Sequence, residues 1–333
     1  MISKNSIKTI QSSVREVNFE GRDLLSINDL SVEQIYELFR LARILEPWNR
    51  SRIDLLPGCQ MATLFFQPST RTRMSFETAM NRLGGSVVTE ANPMVSSSAA
   101  KEESLADMMK VVSKYANVIV LRHPNDVEAL EAVGYSEAPV INGGFGNWEH
   151  PTQALLDLYT VWRTHDRVEG LKVCVASPDL VAARTGHSMA YGLVRLGAKV
   201  ILASSEANRT PEVVVEKLRS VKGDFREVFD LNQEGFNELI SDVDLVYLPG
   251  CSAPKGLESD KFKKMMDDYY VRFETLENVY KESGRLIRVT HTLPRRTGEM
   301  DKRIDKSPYQ QYFEAIAYSV SIRMALILSI IGV

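Results

Sequence analysis

Cysteine is scarce in this sequence of 333 residues, which contains three. Cys59, Cys174 and Cys251 lie far apart and are odd in number, so they suit neither a disulfide framework nor the close ligand spacing of a metal site. We therefore expect reduced, buried thiols in a cytoplasmic protein, and no bound metal.

Strong net charge and long apolar segments are also lacking. The formal net charge is −3, so no overall positive field favours nucleic acid or a membrane surface, and any anion site must be local. Residues 1–20 are polar and lack the apolar core of a signal peptide. The apolar end, Ile322 to Val333, is too short to span a bilayer and is expected to form a core helix.

The composition that remains is that of an ordinary globular protein, with 44% hydrophobic and 25% charged residues. The length favours two domains. Alternating strand and helix patterns predict an α/β fold in which each domain has a parallel sheet flanked by helices, with interdomain helices joining the two. We place one domain at residues 1–150, completed by a C-terminal helix at about 310–333, and the other at 151–309. Residues 1–25 are expected to be a loose lead-in.

The densest polar cluster follows a predicted buried strand. Residues 61–66 are largely apolar, and the run from Phe65 to Arg73 reads FFQPSTRTR before a segment with helical spacing. A strand-to-helix turn offers backbone N–H groups and a favourable helix dipole to an anion, and Arg71 can grip a phosphate with two N–H groups. One interpretation is therefore a phosphate-binding turn. The other is an N-capped helix with solvated arginines.

Further polar clusters follow the other predicted strands. Ligands of parallel sheets bind beyond the carboxyl ends of the strands, so these clusters predict one active site between the two domains. The clusters follow Phe66, Leu121, Asn142, Ala176, Leu248 and Val289. Taken singly, Arg122 and Arg184 have the alternative interpretation of surface arginines, and His150 that of a residue at a capped helix start. We assign His165 and His187 to structure or surface.

The motifs together resemble one family. They are FFQPSTRTR at 65–73, RHP at 122–124, HPTQALLD at 150–157 and LPR at 293–295. In this order and spacing they are similar to the aspartate/ornithine carbamoyltransferases, and SSAAKEE at 97–103 is similar to the aspartate branch. The resemblance implies an enzyme that moves the carbamoyl group of carbamoyl phosphate to an amine of an amino acid, without a cofactor. L-aspartate is the default acceptor of the branch that it resembles.

The resemblance also implies roles for residues of the first domain, which binds carbamoyl phosphate in this family. Arg71, Thr72, Arg122 and His150 are the implied catalytic residues. Those implied to contact carbamoyl phosphate are Ser69, Thr70, Arg71, Thr72, Arg122, His150, Gln153, Leu293 and Pro294. Among them, Gln153 and the backbone near Leu293 and Pro294 orient the carbamoyl nitrogen.

The second domain binds the acceptor in this family. Arg184 matches the position that binds the α-carboxylate, and Lys101 and Lys255 are the other implied acceptor contacts. Ser97 and Lys101 match a loop that reaches the neighbouring subunit's site. The implied assembly is therefore a homotrimer with shared active sites, and the resemblance leaves a regulatory chain undecided.

The acceptor half departs from the family pattern. Aspartate-specific members carry Arg-x-Gln on the loop after the strand that ends here at Leu248, whereas this chain reads PGCSAPKG at 249–256. The ornithine-type Ser-Met-Gly is missing as well. Lys255 is the available substitute, but a lysine is a point charge rather than a fork. We therefore hypothesise a different amine acceptor, one that lacks the second carboxylate of aspartate.

Two interpretations from other classes stay open. A catalytically silent homologue would keep the fold and act by binding a partner enzyme, although STRTR at 69–73 and HPTQ at 150–153 have no chemical role in such a protein. A dinucleotide-binding enzyme is disfavoured, because the stretch after Ala176 reads SPDL and lacks the glycine fingerprint.

Overall fold

The computed structural model describes residues 4–96, 102–251 and 259–333. Ser97, Lys101 and Lys255, predicted from the sequence to be site residues, lie outside the described residues. The chain divides into two compact units. Unit 1 is Met1–Tyr159 with Ile316–Val333, and unit 2 is Thr160–Ala315. Each unit has one parallel sheet with helices, so the predicted α/β fold is confirmed.

The strands of the described residues are β1 (Gln60–Phe65), β2 (Ser86–Glu90), β3 (Val118–His123), β4 (Val140–Phe145), β5 (Lys172–Ala176), β6 (Lys199–Ser204), β7 (Phe225–Phe229), β8 (Leu245–Leu248) and β9 (Arg288–His291). Their α-helices are α1 (Lys4–Val17), α2 (Val32–Leu45), α3 (Thr70–Arg82), α4 (Pro93–Ser96), α5 (Leu105–Val112), α6 (Asp126–Val133), α7 (Pro151–His165), α8 (Arg184–Arg195), α9 (Glu212–Ser220), α10 (Gln233–Ser241), α11 (Ser259–Asp268), α12 (Phe273–Ser283) and α13 (Tyr312–Ile331). The division between the units falls within α7 and α13.

The sheet of unit 1 has the strand order β2-β1-β3-β4, and all of its pairings are parallel. Its strands β1, β3 and β4 are buried along most of their length, which is why they read as continuous apolar runs. A core of apolar side chains packs on this sheet, including Met109, Ile119, Leu121 and Phe145. The carboxyl ends of β1 and β3 are neighbours, because Phe65 pairs with Arg122.

The sheet of unit 2 has the strand order β7-β6-β5-β8-β9, again with parallel pairings. Leu248 at the end of β8 pairs with His291 at the end of β9. The core of this unit includes Cys174, Phe236, Val246 and Val289. The segments that follow β5, β8 and β9 therefore leave the sheet at one edge.

The prediction of a loose lead-in over residues 1–25 is wrong for residues 4–17, and residues 1–3 lie outside the described part of the chain. Residues Lys4–Val17 form α1, which packs against α2. Ile10, Val14 and Val17 are fully or almost fully buried, and their spacing of four and three residues places them on one helical face. The polar residues between them belong to the solvent side of an amphipathic helix rather than to an irregular segment.

The apolar end from Ile322 is too short to span a bilayer, but the whole of α13, Tyr312–Ile331, is long and apolar enough to cross a membrane by length and composition alone. Within the protein, however, 67% of its most apolar window is buried. The ring of Tyr318 lies 5.5 Å from that of Tyr159, and the guanidinium of Arg323 lies 5.0 Å from the Phe76 ring. The burial agrees with the core helix that the sequence predicts for this end of the chain.

Candidate functional site

The predicted phosphate-binding turn connects β1 to α3, as the sequence indicates. Ser69 precedes the helix with an extended backbone, and its side chain makes no capping hydrogen bond. The interpretation as a side-chain-capped helix start is therefore wrong for Ser69. The first N–H groups of a helix have no acceptor within it, so Thr70, Arg71 and Thr72 occupy a turn that can bind an anion. Partial burial lowers the pKa of Arg71.

Arg73 lies two residues further along the same helix but has a different partner. Its Nη1 lies 3.5 Å from Oε1 of Glu77, which also accepts a hydrogen bond of 2.8 Å from the Thr89 hydroxyl. Thr63 on β1 joins this cluster, with its hydroxyl 3.1 Å from that of Thr89. Glu77 therefore links α3 to β1 and β2, and Arg73 pairs with it within the helix, which separates the role of Arg73 from that of Arg71.

Arg122 is the next-to-last residue of β3 and lies beside the predicted phosphate-binding turn. The backbone N–H of Phe66 donates to the carbonyl oxygen of Arg122 at 2.9 Å, which continues the pairing of β1 and β3 beyond the strand. The Arg122 side chain donates from Nη1 to the carbonyl oxygen of Gly143 at 2.9 Å. The same Nη1 lies 3.5 Å from Nε2 of His150. The structure thus brings together two residues that are 28 positions apart in the chain and were predicted for one site.

His150 is held by the loop that precedes α7. Glu149, next to it, is buried and accepts hydrogen bonds from the Ser26 hydroxyl at 2.8 Å and the Ile27 backbone N–H at 3.2 Å. The His150 ring faces Arg122 with Nε2, and its other nitrogen, Nδ1, lies 3.3 Å from the Thr152 hydroxyl. Glu149 is not among the residues that the sequence predicts. One feature of the sequence could have identified Glu149: it is the one charged residue between positions 139 and 149.

Gln153 is oriented by a buried carboxylate one helical turn further along α7. Its Nε2 donates to Oδ1 of Asp157 at 2.9 Å, and Asp157 is 1% exposed. A carboxylate only accepts, so the amide nitrogen of Gln153 must face Asp157. The amide oxygen of Gln153 then faces away and is available to accept from an NH2 group. Asp157 also acts on the buried Arg323 of α13: burial lowers the pKa of Arg323 to about 10, and the negative charge of Asp157 raises it.

In unit 2, three segments meet at one carbonyl group. The Pro249 carbonyl oxygen accepts from the Thr292 hydroxyl at 2.8 Å and from the Thr185 hydroxyl at 3.3 Å. Arg184 begins α8 beside Thr185, and burial lowers the pKa of its guanidinium. A Cβ at Gly186 would lie 3.2 Å from Cβ of Pro249, so the first turn of α8 packs closely on the end of β8. Arg184 is thereby fixed at the carboxyl edge of this sheet.

Leu293 follows β9 in the left-handed backbone region, with φ of +53°. Its backbone N–H donates to Nδ1 of His291 at 2.7 Å. Nε2 of His291 in turn lies 2.9 Å from Oε2 of Glu299. Two buried side chains of unit 2, His291 and Glu299, therefore hold the backbone at Leu293 and Pro294. His291 and Glu299 are not among the residues that the sequence predicts.

The sequence-predicted site residues fall into two groups, one in each unit. Unit 1 holds Ser69, Thr70, Arg71, Thr72, Arg122, His150 and Gln153, and unit 2 holds Arg184, Leu293 and Pro294. Within unit 1, Arg122 and His150 are in contact. The individual roles of all these residues stay predictions.

Metal ligation finds no support in the described part of the chain, where no cluster of three or more His, Cys, Asp or Glu side chains could hold an ion. All three cysteines are free; Cys174 and Cys251 are buried, and Cys59 is partly buried. Burial raises the pKa of Cys174 to about 12 and that of Cys251 to about 11. At neutral pH both buried thiols are therefore protonated and poor nucleophiles.

Known proteins similar to this chain cover almost all of it. The family model for the aspartate/ornithine carbamoyltransferase carbamoyl-P binding domain matches residues 22–163, and the one for the Asp/Orn binding domain matches residues 169–330. A ureidoglycine carbamoyltransferase of Rubrobacter xylanophilus is 72% identical over 98% of this chain and 97% of that protein. An aspartate carbamoyltransferase catalytic subunit of Pyrobaculum calidifontis is 40% identical over 94% and 98%, respectively.

A solved structure has a similar fold. Aspartate transcarbamoylase of Trypanosoma cruzi, in complex with carbamoyl aspartate and phosphate, is 31% identical and superimposes with a TM-score of 0.85. The match covers 95% of this chain and 97% of that one. The chain therefore belongs to the aspartate/ornithine carbamoyltransferase family and is a carbamoyltransferase.

Proposed function

We propose that this enzyme transfers the carbamoyl group of carbamoyl phosphate to ureidoglycine. The observation that carries the proposal is the 72% identity to a ureidoglycine carbamoyltransferase along 98% of the chain, against 40% to an aspartate carbamoyltransferase catalytic subunit. This favours the alternative acceptor over L-aspartate, the default of the branch that the sequence resembles.

The acceptor loop gives a chemical reason for the same choice. Ureidoglycine has an α-amine and an α-carboxylate, but a neutral ureido group stands where aspartate has its second carboxylate. The loop at 249–256 lacks the Arg-x-Gln that grips this second carboxylate in aspartate-specific enzymes. Arg184 keeps the position for the α-carboxylate that both acceptors share. The residues present therefore suit an acceptor with one carboxylate.

The reaction forms a bond between the amine nitrogen and the carbamoyl carbon and breaks the bond from that carbon to the phosphate oxygen. Phosphate leaves and takes up the amine proton. Negative charge develops on the carbamoyl oxygen, and fixed donors aimed at such an oxygen each supply about 3 kcal/mol. Nη1 of Arg122 and Nε2 of His150 are 3.5 Å apart, so with a proton on Nε2 one oxygen can accept from both. No side-chain nucleophile is required.

A panel of amines tests the acceptor. With saturating carbamoyl phosphate, phosphate release is measured for ureidoglycine, L-aspartate, L-ornithine and glycine, and the carbamoylated product is identified by mass. Ureidoglycine is prepared immediately before use, because its central carbon carries two nitrogens and readily loses one. Without the Arg-x-Gln, the enzyme cannot make two charge-assisted contacts, of about 1.5–3 kcal/mol each, to the second carboxylate of aspartate. We therefore expect kcat/KM for L-aspartate to be at least ~100-fold lower than that for ureidoglycine.

Efficient turnover of L-aspartate, at a kcat/KM equal to or above that of ureidoglycine, would contradict the proposal and restore the family default. Absence of turnover with every amine would instead favour the silent homologue. The homotrimer with shared sites stays a prediction, and the sedimentation of the purified protein tests it separately from the acceptor.

We also predict that Asp157→Asn weakens carbamoyl phosphate binding through Gln153. An asparagine amide both donates and accepts, so the Gln153 amide is no longer forced to face its nitrogen toward residue 157. Loss of one oriented acceptor for the carbamoyl NH2 costs about 1 kcal/mol, which is fivefold to tenfold in KM. Asp166→Asn, an exposed position beyond the end of α7, is the matched control. An unchanged KM for carbamoyl phosphate would show that Asp157 does not orient Gln153.

A further inference from the structure

We propose that Glu299 is a positioning residue that fixes two loops of unit 2 at once. One loop carries Leu293 and Pro294, which are predicted to orient the carbamoyl nitrogen. The other is the acceptor loop, which begins after β8 and includes Cys251. The inference rests on the proposed function for what the acceptor loop binds, but its geometry does not depend on which amine is used.

The carboxylate of Glu299 receives three hydrogen bonds from three separate places. Oε1 accepts from the Cys251 backbone N–H at 2.9 Å. Oε2 accepts from Nε2 of His291 at 2.9 Å and from the Arg296 backbone N–H at 2.5 Å. Glu299 is 5% exposed, and the side chain of His291 is fully buried. The three donors come from the end of β9, from the turn after it and from the first residues of the acceptor loop.

The donors fix the protonation of the pair. A carboxylate accepts, so Nε2 of His291 carries a proton. Nδ1 of the same ring accepts from the Leu293 backbone N–H at 2.7 Å and therefore carries none. The His291 ring thus connects Glu299, through Nε2, to the backbone N–H of Leu293, through Nδ1. Burial alone would raise the pKa of Glu299, but the hydrogen bonds from His291 and two backbone N–H groups lower it below its ordinary value, so the carboxylate is ionised at neutral pH.

Leu293 needs such support because its conformation is unfavourable by itself. A non-glycine residue in the left-handed region costs about 1–2 kcal/mol, and Leu293 has φ of +53°. The hydrogen bond to His291 holds it there, and Glu299 holds His291. The backbone oxygens predicted to bind the carbamoyl nitrogen are therefore aimed through two buried side chains rather than by the loop alone.

A glutamine at position 299 would fit the same space but not the same donors. It offers one acceptor oxygen and one NH2 group, and the NH2 group must then face either the Cys251 N–H or the Arg296 N–H and His291. One of the two loops loses its anchor. Misplacement of a reacting group by about 1 Å costs on the order of 100-fold in rate, so a change at Glu299 should reach the kinetics without any contact to substrate.

The experiment compares Glu299→Gln with Glu282→Gln, an exposed glutamate near the end of α12. KM for carbamoyl phosphate, KM for the amine and kcat are measured together with Tm, using whichever amine of the panel the wild-type enzyme turns over. For Glu299→Gln we expect kcat to fall by about 10- to 100-fold and KM to rise for at least one substrate. Glu282→Gln should leave all of these unchanged.

A purely structural role for Glu299 would lower Tm and leave kcat and both KM values of the folded enzyme at wild-type levels, and that result would overturn the proposal. If Glu299→Gln does not fold, His291→Gln serves instead, because its amide still donates to Glu299 but no longer accepts from Leu293. The proposal then expects a lower kcat in a folded protein, and an unchanged kcat overturns it. A different preferred amine would overturn the proposed function alone.

Discussion

We expect the His150→Ala enzyme to fold normally and to lose about 100- to 1,000-fold in kcat, because one fixed donor to the developing oxyanion is worth about 3–4 kcal/mol. The ring is 4% exposed and lies within 3.5 Å of Arg122 Nη1. Its removal leaves Arg122 as the remaining donor of the pair. Steady-state kcat with saturating carbamoyl phosphate and acceptor measures the loss.

His165→Ala is the control for this variant, since it makes the same substitution at the last residue of α7. We expect its kcat to match the wild type. Full turnover by His150→Ala would remove the assigned role of His150, and equal losses in both variants would point to a general effect on α7 instead.

The second large effect is expected at Arg71. Replacement by alanine removes a guanidinium that is predicted to make two charge-assisted hydrogen bonds to phosphate, each worth about 1.5–3 kcal/mol. We expect kcat/KM for carbamoyl phosphate to fall by at least ~100-fold. Inorganic phosphate, tested as a competitive inhibitor, should bind more weakly by a similar factor, and this separates loss of binding from loss of chemistry.

Arg73→Ala gives a control of equal charge two residues away. Arg73 is paired with Glu77, and such partly exposed pairs contribute about 0.2–1 kcal/mol to stability. We expect a small fall in Tm and an unchanged KM for carbamoyl phosphate. Should Arg73→Ala weaken phosphate binding as much as Arg71→Ala, the division of roles along α3 would be incorrect.

The strand-to-helix turn between β1 and α3, which is predicted to bind phosphate, was predictable from the sequence because it is local. A buried strand, Pro68, three hydroxyl residues and Arg71 follow one another within a few positions, and the strand-to-helix geometry follows from that order. The contact of Arg122 with His150 was predictable in a weaker sense. Arg122 lies near the carboxyl end of β3 and His150 follows β4, and the carboxyl ends of parallel strands in one sheet lie at the same edge.

The residues that hold the site were not predictable in this way. Glu149 binds Ser26 and Ile27, which are more than 120 positions away in the chain, and Glu299 joins Cys251 to His291 across 48 and 8 positions. No spacing rule links such partners. The helix at Lys4–Val17 was not predicted for a different, local reason. Its buried face consists of Ile10, Val14 and Val17, and the polar residues around them dominate the composition of the segment.

The base of the acceptor loop is attached partly through its backbone. Two of its first anchors are backbone groups, the Pro249 carbonyl and the Cys251 N–H, and each is bonded to a side chain outside the loop. These two backbone anchors do not depend on the side chains that follow Cys251, so residues further along the loop can be exchanged without breaking them. A gene of this family could in this way acquire a new amine substrate by changes confined to a few codons, while the machinery for carbamoyl phosphate in unit 1 is inherited intact.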